Sequence, residues 1–277
     1  MSFRINTNIP SLQAHITTNE VARETQESFS KLASGQRINK AADDAAGLGI
    51  SEKLKAEIRS SRQANRNAND GLSLVQVAEG GLNETSGILS RMRELAIQAS
   101  TDTLLDSDRV NSNMEYQALK LELDRIALAT EFNGKKLLNG SAPKLDFQVG
   151  VGDDSADDHI SYNSREVNAT SAGLGVGSVS ISSKYHAQNS LDAISHAINK
   201  VSGQRSMLGS VQSRLITSSN NLMVYHENMS AANNRIRDLD YADETATLAR
   251  NAILRDANTA VSAQTNVNPK VALKLLE

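Results

Sequence analysis

The scarcity of proline constrains this chain more than any other feature. Among 277 residues there are only three prolines, Pro10, Pro143 and Pro269. Two long regions, roughly 11–140 and 188–268, contain none. Because proline is the residue that a helix interior tolerates least, both regions can form very long helices.

Apolar or small residues recur in the first region with alternating spacings of three and four. This seam runs for more than three heptads through Val75, Ala78, Leu82, Thr85, Leu89, Met92, Ala96 and Ala99. A shorter seam follows at Tyr116, Leu119, Leu123 and Ile126. Such sustained alternation is typical of coiled-coil packing.

The second region carries a seam of the same kind. It contains Leu191, Ile194, Ile198 and Val201, skips near Arg205, and resumes at Leu208, Val211, Leu215, Ser218, Leu222, Tyr225 and Met229. Two successive spacings of three around Leu208 predict a local overwinding. We interpret the three segments as antiparallel members of one coiled-coil-like bundle. Ordinary amphipathic helices in a globular core are the alternative.

Helix boundaries are also marked in the sequence. Gly35 is expected to end a first helix in the left-handed conformation. Asp43 and Asp44 suit the first turn of the next helix, where carboxylates meet the positive end of the helix dipole. The segments 106–108 (Asp-Ser-Asp) and 189–190 (Asn-Ser) are predicted caps of two later helices.

The middle of the chain, about 141–187, differs from the rest. Residues 145–149 alternate and predict a strand, and residues 176–181 suggest a second one. The dipeptides 133–134 and 139–140, both Asn-Gly, are turn signals. We predict one or two small hairpins at the tip of the bundle.

Each end of the chain carries a thin apolar stripe. The first comprises Ile5, Ile9, Leu12, Ile16, Phe29 and Leu32, and the second comprises Ala246, Ala249, Ile253, Ala257, Ala260, Val267 and Val271. Neither stripe is thick enough to bury itself alone. Terminal helices of this kind are expected to pair, or to remain disordered until they do.

Composition excludes several classes of function. Apolar residues are 39% and aromatic residues 3% of the chain, which suits thin helices better than a thick globular core. The nearly balanced net charge of -3 gives no reason to expect nucleic acid or a membrane as partner. With no cysteine, disulfides and thiolate catalysis are excluded. We expect neither a cleavable signal peptide nor a membrane anchor, since no basic segment precedes an apolar run at the N-terminus and no apolar run is long enough to span.

No catalytic, cofactor-binding or metal site is predicted. The five histidines, His15, His159, His186, His196 and His226, lack a metal-binding spacing and are interpreted as solvated. The acidic run 152–158 lacks calcium-loop spacing, and the glycine-rich run 173–177 lacks phosphate-loop spacing. Residues 168–170 form a glycosylation sequon, which is weak support for a sugar.

Four longer motifs resemble those of bacterial flagellins. Residues 31–51 (KLASGQRINKAADDAAGLGIS) resemble the N-terminal signature of that family, and residues 91–98 (RMRELAIQ) resemble the signature of its second long helix. Residues 131–138 (EFNGKKLL) match the turn that closes the N-terminal half, and residues 234–245 (NRIRDLDYADET) resemble the C-terminal signature. The likeness spans nearly the whole chain in order and is weakest at 141–187.

The resemblance implies a fold and a function. It implies a mainly α protein, a long antiparallel coiled-coil-like helical bundle with a small β-hairpin element, whose N- and C-terminal helices pair. Residues 1–43 and 236–277 would form an inner filament-core domain, and residues 44–235 an outer bundle domain. The function implied is that of a structural subunit, not an enzyme, which polymerises into the extracellular flagellar filament for motility. A hook–filament junction protein is the alternative, although the intact motifs at 91–98 and 131–138 favour the filament. An enzyme or binding module would need a pocket of converging polar groups, and the sequence offers none.

The resemblance also implies partners and assembly residues. The core helices would polymerise through Ile5, Ile9, Leu12, Ile16, Phe29, Leu32, Ile253, Ala257, Ala260 and Val267, and the bundle seams would set the outer lattice. Expected partners are other copies of the chain, an export chaperone at the C-terminal helix, and hook-associated and cap proteins. Export would use the flagellar type III route without a cleaved signal peptide. A candidate patch for Toll-like receptor 5 comprises Arg91, Leu95 and Glu115, although Ser90 stands where well-recognised members carry Gln.

Overall fold

The computed structural model describes residues 7–141, 143–154 and 157–274, without the side chains of 268–274. These residues form six helices: α1 (Ile9–Ser34), α2 (Ala45–Ser100), α3 (Asp106–Ala129), α4 (Ser171–Leu174), α5 (Lys184–Arg237) and α6 (Tyr241–Lys274). Four short strands lie between α3 and α4: β1 (Glu131–Phe132), β2 (Lys135–Lys136), β3 (Leu145–Gln148) and β4 (His159–Tyr162). The predicted fold class, mainly helical with a small β element, is confirmed.

The chain divides into two compact units. One contains residues 1–57 and 228–277, and the other contains residues 58–227. The helices α2 and α5 each contribute residues to both units. The sequence-based boundaries at 43/44 and 235/236 lie 14 and 8 residues from these divisions, and they stay a prediction about the assembled domains.

In the first unit, α1 and α6 pack side by side and antiparallel. Asn8 Nδ2 donates to the carbonyl of Thr265 at 2.9 Å near one end of the pair, and Leu239 N donates to the carbonyl of Gly35 at 3.1 Å near the other. Asn8 also caps α1 by accepting from Ser11 N. Gly35 ends α1 in the left-handed region with φ of 68°, as predicted.

The start of α2 differs from the prediction. Asp44 precedes the helix and caps it by accepting from Gly47 N at 2.8 Å. Asp43 also lies outside the helix, where its carboxylate accepts from the backbone N–H groups of Asn39 and Lys40, both at 2.9 Å. These two bonds lower the pKa of Asp43. The expectation that both carboxylates occupy the first turn is therefore wrong, because each satisfies backbone donors before the helix begins.

The second unit is built around the predicted heptad seams. All eight seam residues of α2 from Val75 to Ala99 are fully buried, as are Tyr116 and Leu123 of α3 and Leu208 of α5. All of them except Thr85 belong to one continuous hydrophobic core that α2, α3 and α5 share with the segment between α3 and α5. The bundle prediction is confirmed.

Two predictions about α3 and α5 are wrong. Asp106 and Asp108 do not cap α3 but lie in its first turn, where they face the positive end of the dipole. Asn189 and Ser190 lie inside α5, which begins five residues before Asn189 at Lys184. Ser190 is buried, and its hydroxyl donates to the carbonyl of Ala187 at 2.6 Å instead of capping a helix start.

The predicted overwinding in α5 is also wrong. The buried residues follow an unbroken alternation of three and four: Ala187, Ser190, Ile194, Ala197, Val201, Gln204, Leu208, Val211 and Leu215. Gln204 occupies the position that the apolar pattern skipped. Its amide Nε2 donates to the carbonyls of Glu166 and Asn168 at 3.1 and 3.3 Å, whereas its Oε1 is buried without a hydrogen-bond partner among the described residues.

The β element consists of two antiparallel hairpins. β1 and β2 flank Asn133 and Gly134, both at positive φ, as the turn signal predicted. β3 coincides with the predicted strand at 145–149, but its partner is β4, with Leu145 opposite Tyr162. Residues 176–181 form no strand, although Val176 and Ile181 are fully buried, so that expectation is wrong.

The β3–β4 hairpin lies against α2, where Asn67 Nδ2 donates to the carbonyl of Gln148 at 3.1 Å. Its expected place at the tip of the bundle stays a prediction. Gly71 makes this approach possible, because the Phe147 ring lies 3.0 Å from the position that a β-carbon there would occupy.

Candidate assembly surface

The helix pair of the first unit is joined by small and polar side chains. In α1, buried and half-buried residues recur at spacings of three and four, at Ser11, Ala14, Thr18, Val21, Thr25, Ser28 and Leu32. Those of α6 include Glu244, Leu248, Asn251, Asn258, Ser262 and Thr265. The contact surface is therefore a heptad seam with few large apolar residues, and such a seam contributes little hydrophobic stabilisation.

The predicted polymerisation residues lie outside this seam, with one exception. Ile9, Leu12, Ile16, Phe29, Ile253 and Val267 are between 47% and 69% exposed, and Ala257 and Ala260 are exposed as well. Leu32 is half-buried within the seam, and Ile5 lies outside the described residues. The two apolar stripes thus do not cover each other within one subunit, and most of their area stays available.

A groove runs along the pair between these exposed residues. Its cavity of about 480 Å³ is lined by Pro10, Ile16 and Thr17 of α1 and by Asn258, Val261 and Thr265 of α6. Its lining is mixed, with polar residues such as Asn258 and with two apolar side chains, Ile16 and Val261, that are both more than half exposed.

A cluster around Arg237 fixes the junction from which α6 leaves. Arg237 Nε donates to Gln36 Oε1 at 2.9 Å, and its Nη1 bonds the carboxylate of Glu52, whose pKa is lowered mainly by this bond. The carbonyl of Arg237 accepts from Arg37 N at 2.8 Å. The Tyr241 hydroxyl lies 2.9 Å from the point where Gly35 would carry a β-carbon. These hydrogen bonds and this close contact hold the start of α6 beside the end of α1.

The α2 seam is not available to neighbouring subunits. Every α2 seam residue is 0% exposed within the single subunit, and the α5 seam residues Leu208 and Leu215 are at most 1% exposed. These side chains hold α2, α3 and α5 together, so the expectation that the α2 seam sets the outer lattice is wrong. Further along α5, Ser218, Tyr225 and Met229 are half-buried, and for that part of the seam the expectation stays a prediction.

The candidate receptor patch lies on α2 and α3. Arg91 donates through Nε and Nη2 to Glu115 Oε1 at 2.9 and 2.8 Å, and through Nη1 to Glu94 at 3.0 Å. These bonds, the Glu115 bond foremost, raise the pKa of Arg91. Arg91 and Glu115 are both exposed, whereas Leu95 is 2% exposed and lies in the core beneath them.

Other candidate groups have structural roles. Asp158 Oδ2 accepts from Asp154 N at 3.1 Å within the acidic turn, and no group of three or more His, Asp or Glu side chains converges within the described residues. Asn168 Oδ1 accepts from Thr170 N and Oγ1, which ties the sequon into the cap of α4. Arg62 Nε donates to His226 Nε2 at 2.6 Å.

Among the described residues, no helix combines the length and the apolar character that crossing a bilayer requires.

Comparison with known proteins identifies the family. The bacterial flagellin N-terminal helical region matches residues 5–142, and the bacterial flagellin C-terminal helical region matches residues 191–276. Flagellin of Halalkalibacterium halodurans is 41% identical, with 98% of this chain and 99% of that protein aligned. Flagellin of Bacillus subtilis is 40% identical, and the flagellar filament core protein flaB2 of Brachyspira hyodysenteriae is 37% identical, each with 99% of both chains aligned.

Solved structures agree with this assignment. The crystal structure of Bacillus cereus flagellin matches with a TM-score of 0.50 and 30% identity over 61% of this chain and 94% of that one. A putative flagellar hook-associated protein from Vibrio parahaemolyticus matches with a TM-score of 0.59 over 71% of this chain and all of that one, but at 15% identity this likeness shows the fold alone. The junction-protein alternative is not favoured, because the full-length relatives are flagellins and filament core proteins. The chain belongs to the bacterial flagellins, non-enzymatic structural proteins that polymerise into the extracellular flagellar filament.

Proposed function

We propose that the exposed apolar residues of α1 and α6 form the contacts between neighbouring subunits in the filament core. The residues are Ile9, Leu12, Ile16, Phe29, Ile253, Ala257, Ala260 and Val267, joined by Ile5 and Leu32 as predicted from the sequence. One observation supports this most strongly: large apolar side chains face solvent on both helices while small and polar ones join the pair. Contiguous apolar surface of this kind is typical of a protein–protein interface.

The composition of the seam predicts how assembly and folding are coupled. Burying a large aliphatic side chain contributes about 1.5–3 kcal/mol, and the α1–α6 seam buries only a few of them. The pair is therefore expected to be marginal in a free subunit and to become stable when neighbours cover its outer faces. In this scheme residues 1–43 and 236–277 act as the inner core domain and residues 44–235 as the outer domain.

The same exposed surface accounts for the other proposed partners. Before assembly, Ile253, Leu254 and Val261 of α6 are 42% or more exposed, so an export chaperone that covers this helix would prevent premature association. Hook-associated and cap proteins at the filament ends would meet the same faces of the terminal subunits. Export through the flagellar type III route without a cleaved signal peptide completes the proposal.

Truncation tests this proposal. Deletion of residues 1–35 or of residues 245–277 removes one helix of the pair and leaves residues 58–227 unchanged. Each truncated protein should remain soluble and largely helical by circular dichroism, and neither should form filaments when seeded with fragments of the full-length polymer. Filaments of either truncated protein in electron micrographs would contradict it.

We further propose that Arg91 and Glu115 form the exposed part of a patch recognised by Toll-like receptor 5, with Leu95 supporting it from below. The proposal is supported by the exposure of both charged side chains and by their direct ion pair at 2.8 Å.

A further inference from the structure

A cavity between α2 and α5 contains two arginine side chains. Its volume is about 260 Å³, and its lining includes Arg62, Asn65 and Arg66 of α2 and Leu222, Met223 and His226 of α5. All of these residues belong to the unit of residues 58–227. The cavity is therefore complete within one compact unit and includes no residue of α1 or α6.

Both helices lack acidic residues in the segments that line this cavity. Residues 58–69 of α2 include three arginines and no Asp or Glu, and residues 206–226 of α5 include Arg214 and no Asp or Glu. Positive charge is thus concentrated in these segments, although the whole chain has a net charge of -3. A concave surface that carries charge of one sign raises the local concentration of ions of the opposite sign.

Neither arginine of the cavity forms an ion pair with a carboxylate among the described residues. Arg62 donates through Nε to His226 Nε2 at 2.6 Å, and the imidazole that accepts this bond is neutral. Arg66 donates through Nε and Nη2 to the amide oxygen of Gln63. Elsewhere on α2, Arg91 pairs with Glu94 and Glu115. Nη1 and Nη2 of Arg62 and Nη1 of Arg66 thus have no acceptor within the described part of the chain.

The two guanidinium groups are spaced to bind one ligand together. Arg62 and Arg66 are four residues apart, which places them about 6 Å apart along one face of α2. A guanidinium group presents parallel N–H donors that match the oxygens of a phosphate or carboxylate group. Leu222 is 8% exposed and gives the cavity an apolar wall, which strengthens the attraction between charges. The Asn65 amide is already bonded, since its Nδ2 donates to the carbonyl of Ser219 at 3.0 Å.

We propose that this cavity binds a small multivalent oxyanion of the phosphate class, held by Arg62 and Arg66. A phosphate or pyrophosphate ion carries more than one negative charge and has enough oxygens to accept from both guanidinium groups at once. The volume of about 260 Å³ leaves room for such an anion together with water. The bound anion neutralises the positive charge between α2 and α5 and so stabilises the folded unit. This inference does not depend on the contacts proposed for α1 and α6.

Calorimetric titration of the full-length monomer with sodium pyrophosphate tests the proposal. The protein is kept below its critical concentration for assembly, and sodium chloride holds the ionic strength constant so that screening does not change. The wild type should bind pyrophosphate in a saturable manner at a single site. The variant Arg62→Gln with Arg66→Gln should bind it about tenfold more weakly, or not at all.

The matched control is Arg93→Gln with Arg165→Gln, which removes the same charge from two exposed positions outside the cavity and should bind like the wild type. Pyrophosphate should also raise the midpoint of heat unfolding of the wild type and of this control, but not that of the Arg62→Gln, Arg66→Gln variant. Because all four arginines are exposed, both variants should have the circular dichroism spectrum of the wild type without ligand.

Three results would overturn the proposal. They are a wild type without saturable binding, a variant of Arg62 and Arg66 that binds like the wild type, and a control that loses affinity as much as that variant. Sodium acetate in place of pyrophosphate distinguishes the class of anion, because a single carboxylate carries one charge. Acetate should bind about tenfold more weakly or not at all, and equal affinity for the two anions would contradict the assignment to a multivalent ligand.

Discussion

Phe147 of the β3–β4 hairpin lies against Gly71 of α2, with its ring carbons 3.0–3.3 Å from the position of a missing β-carbon. This contact docks the hairpin on the longest helix of the bundle. Gly80 lies about two and a half turns further along α2; it has no atom within 4 Å of the equivalent point and is exposed. The two glycines therefore provide a matched pair.

We predict that Gly71→Leu and Gly80→Leu change stability in opposite directions. At Gly71 the new side chain overlaps the Phe147 ring, and overpacking of this kind costs about 1–3 kcal/mol. At Gly80 the same change replaces a poor helix former in open space and should stabilise the helix by about 0.5–1 kcal/mol. Chemical unfolding of both variants measures the difference, and equal effects at the two sites would contradict the docking contact.

The buried tyrosines Tyr116 and Tyr162 provide a second pair. The Tyr116 hydroxyl has no hydrogen-bond partner within the described residues, whereas the Tyr162 hydroxyl donates to the carbonyl of Leu137 at 2.8 Å. Tyr116→Phe should raise the free energy of unfolding by about 1 kcal/mol, because it removes a buried unsatisfied group. Tyr162→Phe should lower it by a similar amount, because it leaves the Leu137 carbonyl with one donor fewer.

These tyrosines also predict an alkaline limit to stability. Burial raises the pKa of both Tyr116 and Tyr162 to about 12, above the ordinary value of about 10 for a phenol. As the pH rises, the unfolded state therefore releases these protons before the folded state does. The free energy of unfolding does not depend on these two phenols below pH 10, and it falls as the pH rises from 10 to 12. Denaturant unfolding of the wild type should weaken across this window, and less steeply in Tyr116→Phe; an identical slope in the two proteins would argue against a buried phenol.

Recognition by Toll-like receptor 5 is predicted to depend on Arg91. Arg91→Ala removes the partner of Glu115, and because both groups are exposed the melting temperature should not change measurably. Activation of reporter cells by the monomeric subunit should fall at least tenfold. The control is Arg93→Ala, which removes the same charge from an exposed position of the same helix. Equal activity of the two variants would remove Arg91 from the patch.

The sequence predicted the large apolar contacts well and the polar ones poorly. The α2 seam from Val75 to Ala99 could be predicted, because the spacing of its residues alternates strictly between three and four and nearly all of them are apolar or small. The same alternation in α5 is interrupted in its apolar pattern, because Gln204 is polar and the two carbonyls that accept from its Nε2 lie almost 40 residues earlier in the chain. No local pattern contains that information.

The helix pair shows the same limit more strongly. Its seam includes Ser28 and Asn251, which are buried although both are polar, while Leu12 and Ile253 are exposed. The apolar periodicity therefore predicted the solvent-exposed faces of α1 and α6, and not the surface through which the two helices contact each other.

The strand β4 was not predicted, because residues 159–162 alternate only weakly between apolar and polar. Its position is set by its pairing with residues 145–148 of β3.

The most direct test of the proposed core contacts is the critical concentration for seeded assembly of Leu12→Gln with Ile253→Gln. Both side chains are more than 60% exposed in the single subunit, so the variant should fold like the wild type. Each residue buried between subunits contributes about 1.5–3 kcal/mol, or roughly tenfold or more in concentration. The control, Glu20→Gln with Arg250→Gln, changes two exposed polar residues on the same helices and preserves the net charge. We predict a rise of a hundredfold or more for the first variant and less than twofold for the control; an unchanged critical concentration in Leu12→Gln with Ile253→Gln would contradict the account.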